Sequence, residues 1–476
     1  MNFKDLLICE GVDIPRLYLV GGAVRDLLLG RPLKDLDLVC RGARDYASRL
    51  AQCKGAALVP MEKKPDEPCY RVIVRDRPDD YLDIAEIRGQ DILEDLGRRD
   101  FTINAMAVEI NSDCSPGRTI DPLAGAEDLR KKIIRLANKD SLTSDPLRVL
   151  RGFRFAAALG FDIADSTVEG MRKSAGLLSS VSAERIIAEL FLILKNPRAS
   201  FYFSWMDGLG IPEIIIPEVM PMKGCEQNGF HHKDVWGHSM LVMEKCEKLL
   251  NNVDVHFGSC GPSIADNLDK DGRAGLLKLA ALLHDIGKPA TKGINADTGR
   301  TTFYGHDREG AKVIDIIAQR LKMSNADREF LVLLAAEHMH ALNLSAAGVK
   351  ASTKMRWFRR MRDDSVPALI LAVADVMSSL GPESGEEYRE GLIERCRQSV
   401  GEYFTGIKEK IERPSFVNGD DLISLGVSPG PELGRLLEQL RSMQDTGEIN
   451  RREEGLEAAV KLIAAGRLHL KTEEQA

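Results

Sequence analysis

The chain has 476 residues, of which 44% are hydrophobic and 29% charged, and a formal net charge of −7. This length is too great for one simple core and implies about two to four domains. The acidic balance excludes a general nucleic-acid coat, though not a local basic groove. Nine cysteines with no CxxC pair exclude a zinc ribbon and a disulfide framework, so reduced thiols are expected. No basic-then-apolar leader opens the chain, and no apolar run reaches the length of about 18 residues needed to cross a bilayer. A cytoplasmic protein with no membrane partner is therefore expected.

The first apolar run, Leu17–Val20, reads as a strand ending in Gly21-Gly22, after which a short helix begins and carries Arg25. Asp35 and Asp37 flank Leu36 in a second strand-like run, Leu36–Cys40. Alternation along a strand points both carboxylates to one side. Two carboxylates so placed repel each other unless a cation lies between them. Mg²⁺ fits that demand, and it usually comes with phosphates. The paired glycines let backbone N–H groups approach an anion at the helix start. Nucleotide chemistry is the expectation. A helix near Arg44–Gln52 and strands at Tyr70–Val74, Tyr81–Ile84 and Ala105–Ile110 complete a small α/β head, residues 1–138. Asp83 either adds a third carboxylate or faces solvent.

From about Ser141 helical periodicity takes over. Ser144-Asp145-Pro146 supplies a cap residue and a first-turn proline before Leu147, Val149, Leu150 and Phe153. Another helix starts at Ser182, and this second segment spans 139–227. None of the nine histidines precedes His231, and eight fall between His231 and His340. That clustering marks a separate module, 228–413, with its own chemistry. Within it Gly258–Arg273 and Thr291–Arg300 read as solvated loops. A tail, 414–476, has helix start signals at Gly419-Asp420-Asp421 and Pro429-Gly430-Pro431.

The head motifs resemble a known family. Gly21-Gly22-Ala23-Val24-Arg25-Asp26, Asp35-Leu36-Asp37, Arg98-Arg99-Asp100-Phe101-Thr102-Ile103-Asn104-Ala105, Asp121-Pro122, Asp145-Pro146-Leu147-Arg148-Val149-Leu150-Arg151 and Ser182-Ala183-Glu184-Arg185 stand in that order. Together they resemble the class II tRNA nucleotidyltransferases and the related bacterial poly(A) polymerases. The resemblance implies an α+β protein: a polymerase-beta-like nucleotidyltransferase head followed by all-α domains. It implies transfer of CMP and/or AMP from CTP or ATP to an RNA 3′ end, most simply that of tRNA. Asp35 and Asp37 would hold the catalytic Mg²⁺. Gly21, Gly22 and Arg25 would contact the triphosphate, with Asp100 and Asn104 near the ribose. Asp100 alternatively pairs with Arg98 or Arg99.

In this family an acidic residue and an arginine one helical turn apart read the incoming base, which assigns that role to Asp145 and Arg148. A carboxylate accepts from the exocyclic amine of cytosine or adenine while a guanidinium donates to the ring nitrogen; guanine and uracil reverse the pattern. The other reading makes Asp145 a helix cap and Arg148 a surface ion-pair partner. Arg151 and Arg154 follow at three-residue spacing and extend the basic face, as Arg359-Arg360 and Arg451-Arg452 do if they are more than solvated charge. The family pattern has glutamate where this chain has Ser144, and the segment between Asp83 and Arg98 is short. CCA-adding, CC-adding, A-adding and poly(A)-forming activities all stay open.

His238, His284-Asp285 and Asp375 look like an HD-domain metal site, with mixed N/O ligands for a second divalent ion of unassigned identity. His306 and His338 would complete another metal position. Such centres activate water for phosphoester hydrolysis, and a phosphohydrolase with an RNA-binding head is the alternative function. His231, His256 and His469 read as ordinary core or surface histidines.

Overall fold

The computed structural model describes residues 7–33, 36–61, 68–74, 81–269, 272–346 and 348–473, with side chains as far as residue 465. These fall into two compact units. One holds the chain up to Asn196 together with Tyr202–Ile215; the other holds Pro197–Phe201 and the chain from Ile216 onward.

The first unit is built on a mixed seven-stranded sheet of order β3-β4-β5-β2-β1-β6-β7. Its strands are β1 (Leu17–Val20), β2 (Leu36–Cys40), β3 (Ala57–Met61), β4 (Cys69–Ile73), β5 (Tyr81–Glu86), β6 (Ala107–Ile110) and β7 (Pro116–Ile120). The five inner strands are the ones whose apolar runs announce them. The two edges, β3 and β7, were not anticipated. Each contains a proline and keeps most of its side chains at least partly exposed, so neither shows a buried-strand pattern. β2 pairs in parallel with β5, and Asp37 stands opposite Asp83. Tyr18, Val20 and Val39 pack with Ile87, Ile92, Leu96 and Ala107 in one cluster. Asp37 lies two residues from Val39 and so shares its side of β2.

Helix α1 (Gly22–Leu28) follows β1 directly, and α2 (Ala43–Cys53) buries Tyr46, Ala47 and Leu50. Cys9 and Cys53 form a disulfide with Cα atoms 6.4 Å apart. This corrects the expectation of reduced thiols throughout. Sequence spacing says nothing about which two cysteines a fold brings within bridging distance. Next come α3 (Ile92–Gly97), the short α4 (Ser141–Ser144), α5 (Arg148–Leu159) and α6 (Ala183–Leu194). The expected helix start at Ser144-Asp145 is also corrected. Asp145 is extended (φ −149°, ψ 94°) between α4 and α5, and no side chain caps α5. Pro146 explains it, because a residue before proline is pushed out of the helical region.

The second unit is helical. Its framework includes α7 (Val235–Asn251), α8 (Gly261–Asp269), α9 (Arg273–Leu283), α10 (His306–Arg320), α11 (Asn325–Leu344) and α12 (Ser365–Ser378). α12 is buried almost throughout, from Val366 to Ala374. The stretch 258–273, expected as a loop, contains α8. Ile264 and Leu268, one turn apart, are both buried, and that tertiary burial outweighs a Gly- and Asn-rich composition. Residues 291–300 do form a connection, closed by a short antiparallel pairing of Gly293–Ile294 with Thr301–Thr302. In the tail, α13 (Gly419–Ser424) starts with a reciprocal cap between Asn418 and Asp421, and α14 (Pro431–Thr446) and α15 (Arg452–Glu473) follow. Arg359, Arg360, Arg451 and Arg452 pair with Asp445, Glu337, Glu454 and Asp421, so these charges are matched within the fold. No described helix is long and apolar enough to cross a membrane.

Candidate functional site

The first unit gathers its polar residues where β1 turns into α1. Gly21 has φ 70°, which L side chains rarely adopt. A Cβ placed there would lie 3.2 Å from Arg99 Nη1 and 3.6 Å from Asp37 Oδ2. The glycine turn, the Asp37 carboxylate and the Arg99 guanidinium therefore crowd one spot. Asp95 holds Arg99 in place, accepting from Nε at 3.1 Å and Nη2 at 2.9 Å. Sequence reasoning considered Arg99 only as a partner for Asp100 and missed this position. No pattern beyond the Arg98-Arg99-Asp100 run could have found it.

Asp35 lies outside the described residues. Asp83 stands beside Asp37 in register, but its two oxygens accept from Arg71 Nε and Nη2 at 2.8 and 2.7 Å. That bidentate pair neutralises Asp83 and argues against a third metal-binding carboxylate.

Arg25 folds back over the start of α1. Its Nε and Nη2 donate to Asp26 at 3.0 and 3.1 Å, and its Nη1 donates to Asn104 Oδ1 at 3.0 Å. Asn104 Nδ2 in turn donates to Asp100 Oδ1 at 3.1 Å. Asp100 is buried, and its partner is Arg151 rather than Arg98 or Arg99: Nε and Nη2 donate to Oδ2 at 3.0 and 2.6 Å. Burial by itself would raise the Asp100 carboxyl. The charge and hydrogen bonds of Arg151, with those of Asn104, carry it below the usual carboxylate range. Arg154 donates to Glu189 at 2.6 Å. The guanidinium carbons of Arg25, Arg151 and Arg154 lie 5.6, 5.3 and 4.0 Å from the centre of the Phe155 ring. Three cations around one aromatic ring form a basic cluster whose repulsion Asp26, Asp100 and Glu189 offset.

Arg148 turns elsewhere. It is buried, Nη2 donates to the Arg98 carbonyl at 2.9 Å, and Nη1 donates to the Arg99 and Ser141 carbonyls and to Ser141 Oγ. It is therefore no surface ion-pair partner. Asp145 accepts from Arg185 Nη2, with its oxygens at 2.8 and 3.1 Å. Asp145 and Arg148 both line a cavity of about 510 Å³, with Arg41, Glu86, Arg98 and Ser144 among its other walls. Asp121, from another of the motifs, accepts from the backbone N–H of Gly125 and Ala126 at 2.7 and 2.9 Å, a structural cap.

The second unit holds a histidine–aspartate centre. His238 Nε2 is 3.0 Å from Asp375 Oδ1 and 3.7 Å from Asp285 Oδ2; His284 Nε2 is 3.1 Å from Asp285 Oδ2. The other Asp285 oxygen lies 3.5 Å from His306 Nε2 and 3.8 Å from His338 Nε2. The Nδ1 atoms of His284, His306 and His338 face the carbonyls of Ala281, Phe303 and Ala335 at 2.9, 2.7 and 2.7 Å. Those contacts assign the proton to Nδ1 and leave Nε2 as a lone-pair donor aimed at Asp285. Two such atoms, on His306 and His338, are 3.2 Å apart, and His284 Nε2 is buried without a hydrogen-bond partner. Facing lone pairs around a shared carboxylate fit a cation. His238, His284 and Asp285 form one compact set, and Asp285, His306 and His338 another. Burial would raise Asp375, but the hydrogen bond from His238 holds it well below the usual range.

A cavity of about 680 Å³ opens beside this centre, lined by Asp285, His306, Asp375, Lys288 and His231 among others. Lys288 Nζ sits 2.7 Å from Asp285 Oδ2. His231 corrects its ordinary reading: its ring is 4.4 Å from that of His238, its Nδ1 is buried without a partner, and burial pulls its pKa to about 3. The nearness of His231 to His238 in the chain was the available signal. His256 contacts Arg397, as a partly exposed histidine does. The His469 side chain lies outside the described residues.

Three family models match. Residues 17–135 match the poly A polymerase head domain, 160–223 a model of the RNA- and SrmB-binding site of polymerase A, and 235–380 the HD domain. Nucleotidyltransferase and HD domains point to dependence on divalent metal. An A-adding tRNA nucleotidyltransferase of Deinococcus radiodurans is 31% identical over 92% of this chain and 94% of its own. A CC-adding tRNA nucleotidyltransferase of Thermus thermophilus is 30% identical over 91% of each. The solved structure of a CCA-adding enzyme superposes with a TM-score of 0.63 at 23% identity, covering 94% of this chain and 90% of that one, and shows the same fold.

Proposed function

This chain belongs to the tRNA nucleotidyltransferase family, and on that premise we propose that it transfers CMP and/or AMP from CTP or ATP to the 3′ end of tRNA. The observation that carries the reading is the Arg148 guanidinium, fixed by the carbonyls of Arg98, Arg99 and Ser141 on the wall of a cavity that Asp145 also lines. Anchored this way, Arg148 keeps Nε–H and its second Nη2–H for a base edge, and Asp145 offers carboxylate oxygens to an exocyclic amine. Such a pair selects cytosine and adenine with no nucleic-acid template.

The Gly21 turn presents backbone N–H groups to the triphosphate, and Arg99 and Arg25 supply the matching charge. Asp100 does its work through others: with its oxygens engaged by Arg151, Asn104 and a backbone N–H, it orients Asn104 toward the nucleotide. Asp37, with Asp35, would hold Mg²⁺, which would supply charge stabilisation for the 3′-hydroxyl nucleophile and the pyrophosphate leaving group. In the second unit His238, His284, Asp285 and Asp375, with His306 and His338 opposite, are assigned to a further divalent centre. When loaded, such a centre supplies activated water for phosphoester hydrolysis.

The test is incorporation of each labelled NTP with Mg²⁺ into tRNA lacking CCA, ending in CC, and ending in CCA. CMP or AMP added only to incomplete ends, with GTP and UTP refused, is the expected result. No incorporation, or long A tails on unrelated RNA, overturns it.

A further inference from the structure

We infer that His231 is a phosphoryl-contacting residue of the second unit's cavity, donating a ring N–H to an oxygen of a bound phosphate or phosphoester. The inference rests on the divalent centre proposed above. His231 belongs to neither ligand set of that centre. Its ring nevertheless lies edge-on against that of His238, with centroids 4.4 Å apart, and lines the cavity together with Asp285, Asp375 and His306.

The backbone around His231 is held from two directions. The His231 N–H donates to the Asn228 carbonyl at 3.1 Å. The Phe230 carbonyl accepts from the Gly381 N–H at 2.8 Å, and the Gly229 carbonyl from the Glu383 N–H at 2.9 Å. Gly381 follows α12, the helix that carries Asp375. A Cβ at position 381 would collide with the backbone of Gly229, Phe230 and His231, so the two segments approach as closely as only glycine permits. The histidine is thereby fixed beside the ligand set.

Its ring is prepared differently from those of the ligands. In His284, His306 and His338 a carbonyl faces Nδ1 and takes its proton, which leaves Nε2 as a lone-pair donor. His231 Nδ1 is buried with no such partner. A proton placed there would be a buried, unpaired N–H, which is costly. The neutral ring therefore carries its proton on Nε2, the nitrogen left to meet a ligand in the cavity. A donor of that kind suits an anionic phosphoryl oxygen, the acceptor a phosphoester brings. Lys288, the nearest cation, is already engaged by Asp285 Oδ2 and Gln227 Oε1, both at 2.7 Å. His231 acts by position and needs no change of protonation.

The experiment uses the full chain in a D37A background, which removes a metal carboxylate of the first unit, with D37A/D285A as the blank. Mn²⁺ binding is followed by electron paramagnetic resonance, and inorganic phosphate binding by the phosphorus NMR relaxation that bound Mn²⁺ causes. His231→Phe keeps a ring without a donor; it is expected to weaken phosphate binding about tenfold while Mn²⁺ binding stays at the parent level. His231→Gln carries an amide N–H near the Nε2 position and should recover most of the loss. Unchanged phosphate binding in H231F, or H231Q no better than H231F, overturns the role. Loss of Mn²⁺ in H231F also overturns it, by making His231 a metal ligand. If the D37A parent binds no more Mn²⁺ than the blank, the divalent centre itself fails first and the inference falls with it. Thermal melting checks that each variant is folded; should H231F melt early, H231A takes its place with the same outcomes.

Discussion

The Asp100 carboxylate and the Arg151 guanidinium, 51 residues apart, meet through hydrogen bonds of 2.6 and 3.0 Å to one oxygen. The pair ties α5 to the segment that follows α3. Through Asn104 it also connects to Arg25 at the glycine turn. Stability and the nucleotide-binding role proposed for Arg25 and Asn104 therefore share this link.

Its loss has a predictable pH signature. The Asp100 carboxyl sits below the ordinary value of 3.8 in the folded chain. Its contribution to stability is thus fully present above that value, and it declines as pH falls through the depressed folded value. R151M leaves the buried carboxylate without its cation and is expected to cost about 3 kcal/mol at pH 7. As pH falls below the ordinary carboxylate value of 3.8 the gap to wild type should narrow. Urea titrations across this range check it; a gap independent of pH would contradict the assignment.

Replacing Asp37 by Ala should abolish NTP incorporation, by roughly a thousandfold or more, because several kcal/mol of charge stabilisation go with the metal carboxylate. The second unit should be untouched, so its metal content measured by elemental analysis stays at the wild-type level. Retention of incorporation would displace Asp37 from the catalytic centre.

Arg148→Lys keeps the charge but cannot reach the carbonyls of Arg98, Arg99 and Ser141 together with a base edge. The expected outcome is a fall in kcat/KM for CTP and ATP of about a hundredfold, with a smaller change in KM for the tRNA. Equal use of nucleotides by R148K and wild type would place base recognition elsewhere.

The centre around Asp285 predicts a graded loss of metal. Asp285→Ala removes the carboxylate common to both ligand sets and should abolish divalent binding at this centre while leaving that of the first unit, whereas His338→Ala should affect one set only. Titration with Mn²⁺ or Co²⁺, followed calorimetrically, distinguishes the two. Identical isotherms for wild type and D285A would rule out a metal site here.

The Cys9–Cys53 bridge closes a separation of 44 residues. Reduction, or the double substitution C9S/C53S, is expected to cost about 2–4 kcal/mol of the first unit's stability. Thermal melts with and without reductant measure it, and no shift would mean that the pair does not form in solution.

The chemistry that depends on near neighbours was legible in the residues alone. Inner strands, the Gly21 turn, the α1 start, the helical content after Ser141 and the His-Asp doublet are all set by alternation, spacing and backbone freedom, which act over a few residues. The edge strands β3 and β7 escaped because an exposed edge needs no apolar alternation, and α8 escaped because burial of Ile264 and Leu268 is a tertiary event. The partners came from the folded chain. It gave Asp100 to Arg151, Asp83 to Arg71 and Asp145 to Arg185; it brought Arg99 beside Asp37 and His231 beside His238; it bridged Cys9 to Cys53. A titratable group's role depends on the charge and burial within a few ångströms of it, and those neighbours come from distant parts of the chain.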